Sequence, residues 1–440
     1  MTPVQILTCA IFLIAYILIA SERVHKSVAS LAGATLMLIV GILTQKEAFH
    51  GTEAVHGVDW NTILLLVGMM IVVAITKETG VFEWMAIKSA KVARGRPMAV
   101  LAVVSLVTAL VSALLDNVTT VLLVAPVVVI LCRTLEVDAI PFLICCALSS
   151  NVGGTATLIG DPPNIIIGSA AGLNFLDFLR VDLPIVALAF AGYLGTVWLA
   201  FGRKLHVDEE HRRRVMEFDE SKAIHDWPLL RKCLVAIVLA LVGFTIHGAV
   251  GLEPATIALG AACLILVLYG KSPVRVLEAV EWPTIFFFMG LFIMVGALEK
   301  VGLIAMLASG VRSLTGGQVA AMTLFILWFS ALFSGLVGNI PATVALVSLI
   351  LDLAKALHPG AGLAALHRPD ILPLWWALSL GACLGGNLTL VGAPANAIVI
   401  GISASAGHHV SFLEFLKYGV PLTLVTVVVS MICLWFVFLR

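Results

Sequence analysis

Charge is the scarcest feature of this 440-residue chain: Asp, Glu, Lys and Arg together make up 12% of it, against 61% hydrophobic residues and a mean hydropathy of +1.10. A soluble domain carries roughly a quarter charged residues, so a soluble globular fold is excluded. Lys plus Arg and Asp plus Glu both number 26, which leaves no net charge to attract nucleic acid or an anionic partner. The apolar runs hold no His/Glu/Asp cluster with metal-ligand spacing and no catalytic constellation, so neither an enzyme, a cofactor nor a metal site is expected. Most of the eight cysteines, such as Cys9, Cys132, Cys145, Cys146 and Cys433, lie in apolar runs, where a thiol serves as a small core residue. No basic residue precedes the run Ile6 to Ile19 and no small-residue cleavage site follows it, so it reads as a transmembrane helix rather than a removable leader.

Long apolar runs are what the chain has in abundance. A run of 18 or more such residues crosses about 30 Å of hydrocarbon, and the runs predict an all-α polytopic membrane protein. Spans are expected at 4–20, 27–44, 60–77, 140–169, 183–202, 233–250, 255–270, 283–299, 371–401 and 419–439. Two further segments, 98–132 and 319–351, each break at a polar tip. The stretch 203–232 holds eight basic residues (Arg203, Lys204, Arg212, Arg213, Arg214, Lys222, Arg231 and Lys232), which places it in the cytoplasm. Counting outward from it puts Lys77, Lys88, Lys91, Arg94 and Arg96 inside, the segment 45–59 outside, and both termini outside the cytoplasmic membrane.

The chain repeats itself. Val58-Asp-Trp60-Asn-Thr62-Ile63 recurs as Val280-Glu-Trp282-Pro-Thr284-Ile285, an offset of 222 that also aligns Gly68 with Gly290, Gly80 with Gly302, Ser112 with Ser334 and Asn117 with Asn339. After a ten-residue insertion, Gly153-Gly154-Thr155-Ala156-Thr157-Leu158 falls on Gly385-Gly386-Asn387-Leu388-Thr389-Leu390, with Gly160, Pro162 and Asn164 on Gly392, Pro394 and Asn396. Phe175-Leu-Asp-Phe-Leu179 then matches Phe412-Leu-Glu-Phe-Leu416. Each half contains five crossings plus one hairpin-like segment, and an odd number of crossings inserts the second half upside down. The expected organisation is an inverted-topology repeat, with 1–202 as the first copy, 203–232 as a cytoplasmic linker and 233–440 as the second copy. Such repeats build secondary transporters whose site lies near the midplane, where broken helices of the two halves meet.

Four segments carry polar residues at mid-membrane depth: the tips Leu115-Asp116-Asn117-Val118-Thr119-Thr120 and Val337-Gly338-Asn339-Ile340-Pro341-Ala342-Thr343, and the breaks Ser149 to Asn164 and Gly385 to Asn396. Gly-Gly followed by Gly-x-Pro within a span is tolerated only where unwound backbone faces protein or a wet cavity. Such a break leaves backbone groups free for a small polar solute. The substrate-binding set expected from these segments is Asn117, Thr119, Asn151, Thr155, Thr157, Asn339, Thr343, Asn387 and Thr389. Both acids belong to the first copy, where Asp116 aligns with Gly338 and Asp161 with Ala393. An ionisable residue inside a span marks a proton or ion relay, so Asp116 and Asp161 are the expected proton-coupling residues. Asp161 stands before Pro162-Pro163 and could instead cap the half-helix that follows.

These motifs resemble the ion transporter superfamily, and within it the arsenite permease and melanosomal P-protein group. The resemblance covers nearly the whole chain and rests on Leu-Leu-Asp116-Asn117-Val-Thr119-Thr120-Val with Ala-Pro126 following, and on Asn151-Val-Gly-Gly-Thr155-Ala-Thr157-Leu-Ile-Gly-Asp161-Pro-Pro-Asn164. The more distant dicarboxylate/sodium symporters carry Ser-Asn-Thr at the tips of two re-entrant hairpins, and Asn117-Val-Thr119 and Asn339 with Thr343 look like the counterparts. Here Asp116 and Gly338 stand in place of the serine. The resemblance implies re-entrant hairpins, a scaffold that often dimerises and a transport unit that moves as an elevator. The function it implies is proton-coupled efflux of arsenite or antimonite; sodium/proton exchange and transport of citrate or dicarboxylates are the alternatives within the superfamily. Arsenite near neutral pH is an uncharged trihydroxy species that amides, hydroxyls and backbone groups can bind without a fixed cation.

Overall fold

The computed structural model describes residues 1–440 apart from 22, 52–56, 203–206 and 218, and apart from the side chain of residue 363. Arg203 and Lys204, part of the basic run that sets the expected orientation, lie outside the described residues. The first copy contains α1 (Pro3–Ser21), α2 (Lys26–Ile39), α3 (Gln45–His50), α4 (Trp60–Lys77), α5 (Val81–Val92), α6 (Pro97–Leu114), α7 (Asn117–Leu135), α8 (Ala139–Gly154), α9 (Pro162–Ala171) and α10 (Phe175–Phe201). The connection carries α11 (Glu209–Met216). The second copy contains α12 (Trp227–Val250), α13 (Pro254–Tyr269), α14 (Val274–Glu278), α15 (Trp282–Lys300), α16 (Leu303–Leu314), α17 (Val319–Val337), α18 (Asn339–Leu357), α19 (Leu372–Gly385), α20 (Pro394–Ser405) and α21 (Phe412–Leu434). Ten helices among the described residues are long and apolar enough to cross a membrane.

The two copies correspond helix by helix, in the fold of an inverted repeat. Gly80 and Gly302 start α5 and α16 in the same left-handed conformation, at φ of 78° and 77°. Trp60 and Trp282 sit half-exposed at the starts of α4 and α15, where each ring N–H donates to the short helix before it, at Phe49 O (2.9 Å) and Leu277 O (3.0 Å). Half-exposed indoles at matching helix starts suit membrane interfaces.

Four of the membrane-length helices are hairpin arms. α6 and α7 are joined by Leu115 and Asp116, and α17 and α18 by Gly338 alone. The expected spans 140–169 and 371–401 are interrupted, by residues 155–161 between α8 and α9 and by 386–393 between α19 and α20. The expected span 27–44 is shorter, since α2 ends at Ile39. α10 begins at Phe175 rather than 183, because Asn174 and Asp177 form a reciprocal capping box there. The charged stretches after Lys77 and Lys300 form amphipathic helices, α5 and α16, with Phe82, Ala86, Ser89 and Ala90 buried on the first and Ile304, Ala308 and Val311 on the second.

Packing interleaves the copies. α2 lies against α15 and α13 against α4. Glycine sets both crossings: a Cβ on Gly68 would stand 2.7 Å from the Ala258 carbonyl carbon, and one on Gly290 2.6 Å from that of Ser30. Deeper in, α8 packs on α6 through Gly153, whose added Cβ would meet Ala109 O at 2.1 Å, and α19 packs on α17 through Gly385, whose added Cβ would meet Ala331 O at 2.4 Å. Small residues let helices approach where lipid offers no hydrophobic drive. The result is one unit of α1 to α4 and α12 to α15, and a second in which hairpins and broken helices of both copies lock together.

Candidate functional site

Each hairpin tip is shaped by its connecting residues. Asp116 ends the turn in extended conformation, its Oδ1 accepting from Thr119 N at 2.8 Å and its Oδ2 from the Thr119 hydroxyl at 2.5 Å. It is the N-cap of α7. Asp161, the residue for which sequence offered a capping role, makes no cap bond. The reason lies in its neighbours: an N-cap side chain accepts from the second or third residue of its helix. Here the second is Pro163, which has no N–H, and the third, Asn164, gives its N–H to Asp161's own carbonyl at 2.9 Å. Capping, the alternative that sequence offered for Asp161, is thus not made there, while Asp116 caps its own helix.

Freed from capping, the Asp161 carboxylate turns inward, is fully buried, and collects the tips of both hairpins. Asn117 Nδ2 donates to its Oδ1 at 3.1 Å, and Asn339 Nδ2 donates to Oδ1 at 3.1 Å and Oδ2 at 3.4 Å. Asn117 Nδ2 also donates to Asn151 Oδ1 at 3.0 Å, and Asn151 Nδ2 in turn donates to Asn387 Oδ1 at 2.8 Å and Asn396 Oδ1 at 3.0 Å. Five asparagines from α7, α8, α18, α20 and the second break therefore form one hydrogen-bonded crown on a single carboxylate. Among the described residues no ion pair reaches Asp161. Two buried acceptors in the first turn of α7, Asn117 Oδ1 and Thr120 Oγ1, have no hydrogen-bond partner among the described residues.

Four of the five threonines named from sequence hold backbone. Thr157 and Thr389 donate at 2.5 Å to Ala113 O and Gly335 O, equivalent carbonyls of α6 and α17. Thr155 donates to Asn151 O and Thr343 to Asn339 O, both at 2.8 Å, within their own helical turns. Asn387 Nδ2 donates to Leu148 O at 3.2 Å. Asn164 bridges Thr155 O and Thr157 O at 2.9 Å each, and its counterpart Asn396 bridges Gly386 O (2.8 Å) and Thr389 O (2.9 Å). Buried backbone at a break must be paired, and these side chains do it. Of the expected set, Asn117, Asn151, Asn339 and Asn387 meet in the crown, Thr155, Thr157, Thr343 and Thr389 form its supporting shell, and Thr119 serves Asp116. Asn396 belongs to the crown although it is absent from the expected set; its repeat match with Asn164 is the signal in sequence that points to it.

A cavity of about 250 Å³ opens beside the second tip, with Gly338, Asn339 and Pro394 on one wall and His25, Lys26 and Phe287 on the other. It lies between the first unit and the second, so a solute there touches both.

Membrane-length helices, an inverted repeat and paired interrupted helices around a buried carboxylate define the class: a polytopic membrane transporter of small solutes. Residues 16–381 match the CitMHS citrate transporter family, and the chain belongs to that family. It is 41% identical over 431 residues to an uncharacterized transporter of Mycobacterium bovis, covering 98% of each chain. It is 32% identical over 493 residues to the P protein of Sus scrofa, covering 94% of this chain and 57% of that one. Among solved structures it shares its fold with the YdaH transporter of Alcanivorax borkumensis, at a TM-score of 0.56 and 13% identity, covering 96% of this chain and 98% of that one.

Proposed function

We propose that this transporter couples proton movement to the passage of a small hydroxylated solute, with arsenite or antimonite as the cargo and export across the cytoplasmic membrane as the direction. One observation carries the reading: the amides of both hairpin tips converge on one buried carboxylate, that of Asp161, which no ion pair reaches among the described residues. A group that binds a proton and holds both tips couples their positions to its protonation. The two acceptors without partners, Asn117 Oδ1 and Thr120 Oγ1, suit the O–H donors of a neutral trihydroxy solute. In this reading 1–202 and 233–440 are the inverted repeats, 203–232 is cytoplasmic, both termini are outside, and the hairpins with the broken helices move against α1 to α4 and α12 to α15. Asp116 keeps its tip folded, and Asp161 carries the proton.

A second reading has its own observation. Lys26 and His25 line the cavity beside the second tip, where α18 and α20 both start without a side-chain cap. Positive charge and two helix N-termini favour an anion, and the family's name is that of citrate transporters. Purified full-length protein in vesicles loaded with a pH-sensitive dye separates the two. Arsenite should drive a proton flux that Asp161→Asn abolishes. Citrate-driven flux that Lys26→Gln weakens, with arsenite silent, overturns the first reading in favour of the second.

A further inference from the structure

A second carboxylate is buried where the transport reading does not use it. Asp182, on α10, is fully buried, and its Oδ1 has no hydrogen-bond partner among the described residues. Its Oδ2 lies within hydrogen-bond distance of the Ser379 hydroxyl on α19, 2.5 Å away. The same hydroxyl is 2.7 Å from Asn164 Oδ1. Asn164 is the residue whose amide ties down Thr155 O and Thr157 O in the first break. The chain of contacts therefore runs from Asp182 through Ser379 and Asn164 to the unwound segment that ends at Asp161.

The hydrogens in this chain count against an ionised Asp182. A serine hydroxyl has one hydrogen and can accept through its lone pairs, an ionised carboxylate only accepts, and an amide oxygen only accepts. With Asp182 ionised, two acceptors compete for the one hydrogen of Ser379, and Asn164 Oδ1 is left with the Cys383 thiol at 3.4 Å, a weak donor. With a proton on Asp182 Oδ2, the acid donates to Ser379 Oγ, Ser379 donates to Asn164 Oδ1, and every polar atom but one carbonyl-type oxygen is paired. Asp161 is the opposite case, since amide donors point at both of its oxygens. The buried titratable side chains on elements packed against α10 are Cys383 on α19, Cys145 and Cys146 on α8, and Cys233 and His247 on α12; Glu414 and Lys417 lie nearer the surface at the start of α21. None forms an ion pair with Asp182 among the described residues. A hard metal cation asks for six or more oxygen ligands, and the neighbours of Asp182 supply a hydroxyl and an amide oxygen already in use.

We propose that Asp182 is a second proton-binding site of this transporter, loaded in the conformation seen here, whose release of the proton withdraws the Ser379 hydrogen from Asn164 and loosens the first break. Loading needs neither the solute nor Asp161. Infrared difference spectra of the purified full-length protein across a pH titration read it directly. The wild type should show the carbonyl stretch of a buried protonated carboxyl that Asp182→Asn loses and Asp161→Asn keeps. Ser379→Ala should keep that band but shift it upward, because the acid then has no hydroxyl to donate to. The proposal is overturned if folded Asp182→Asn, melting as the wild type does, retains the band at full intensity. If Asp182→Asn does not fold, Ser379→Ala decides: a shifted band supports the site and an unshifted one rejects it.

Discussion

The two broken segments share a frame and differ in what fills it. Thr157 and Thr389 bond equivalent carbonyls, Asn164 and Asn396 bridge equivalent breaks, and Gly153 and Gly385 press on equivalent alanines. Ser112 and Ser334 likewise donate to Ser150 O and Ala382 O. Against that frame the acids are one-sided. Asp116, Asp161 and Asp182 align with Gly338, Ala393 and Gly419. The second copy fills the gaps with backbone: Asn339 N donates to Gly392 O at 2.8 Å, and Gly419 packs on the carbonyls of Asn387 and Leu388. Symmetry builds the interrupted helices, and its loss supplies the titratable chemistry to one side.

The largest effect should come from making the first copy resemble the second at the crown. Asp161→Ala removes the acceptor shared by Asn117 and Asn339, leaving buried amide hydrogens unpaired at about 1–3 kcal/mol each. Coupled transport should vanish and the melting temperature should fall. Asp161→Asn should also lose coupling but melt closer to the wild type, since an amide oxygen can still accept. Full coupling in Asp161→Asn would remove the carboxylate from the mechanism and leave the asymmetry at the crown without a functional meaning.

Next in size is the reverse exchange at the second tip. Gly338 has φ +102° and ψ 146°, a region open almost only to glycine. An added Cβ would meet nothing closer than Pro341 Cδ at 3.5 Å, so space is available and the cost is conformational. Gly338→Asp should destabilise by about 1–3 kcal/mol, a strain that Asp116 does not have at φ −75°. Thermal melting of Gly338→Asp and Gly338→Ala should give nearly equal losses; a stable Gly338→Asp would mean the tip can adopt the first copy's geometry.

The frame itself predicts equality. Thr157→Val and Thr389→Val each delete one buried bond to a helix carbonyl and should cost about 1 kcal/mol apiece. If Thr157→Val instead spares stability and abolishes solute binding, that hydroxyl is a ligand and not a support.

Much of this was legible in sequence because glycine, proline and asparagine at matched positions have few reasons to recur. The Val58 and Val280 motifs, the paired Gly-Gly breaks and the hairpin tips all pointed to the fold that is found. What stayed hidden were decisions made by single backbone hydrogens. Asp-Pro-Pro looks like a capped helix start until one asks which N–H the cap would take, and Pro163 has none to give. Asp182 was invisible for another reason: Asp177, Arg180 and Asp182 dilute the apolar run, so the span appeared to begin at 183, whereas α10 buries Phe175, Phe178, Asp182 and Ile185 along one face. The register of a face is a tertiary fact, and the Ser379 hydroxyl that meets Asp182 lies 197 positions away.

The smallest effect tests the pseudo-symmetry at the membrane surfaces, where the copies exchange sign. Lys300, at the end of α15, pairs with Glu47 of α3 at 2.7 Å, while Glu78, its counterpart after α4, pairs with Lys271 at 3.4 Å and accepts from the Tyr269 hydroxyl at 2.7 Å. The Lys300 ammonium, with the Thr44 backbone and hydroxyl donors, holds the Glu47 carboxyl down at about 2 from an ordinary 4.5. A lowered folded-state value stabilises above the ordinary one and is lost as pH falls, so this contribution is complete above pH 4.5 and fades toward pH 2. The pair is partly exposed, which limits its worth to about 1 kcal/mol or less after screening. Lys300→Gln should therefore lower the melting temperature slightly at neutral pH and in low salt, with the gap to the wild type closing as the solution is acidified or salted. Lys271→Gln should give a smaller gap still, because its contact is longer and Tyr269 continues to hold Glu78. A gap for Lys300→Gln that widens in acid would mean that the lysine stabilises α15 through something other than Glu47, and that the sign exchange between the two surfaces is a coincidence of sequence.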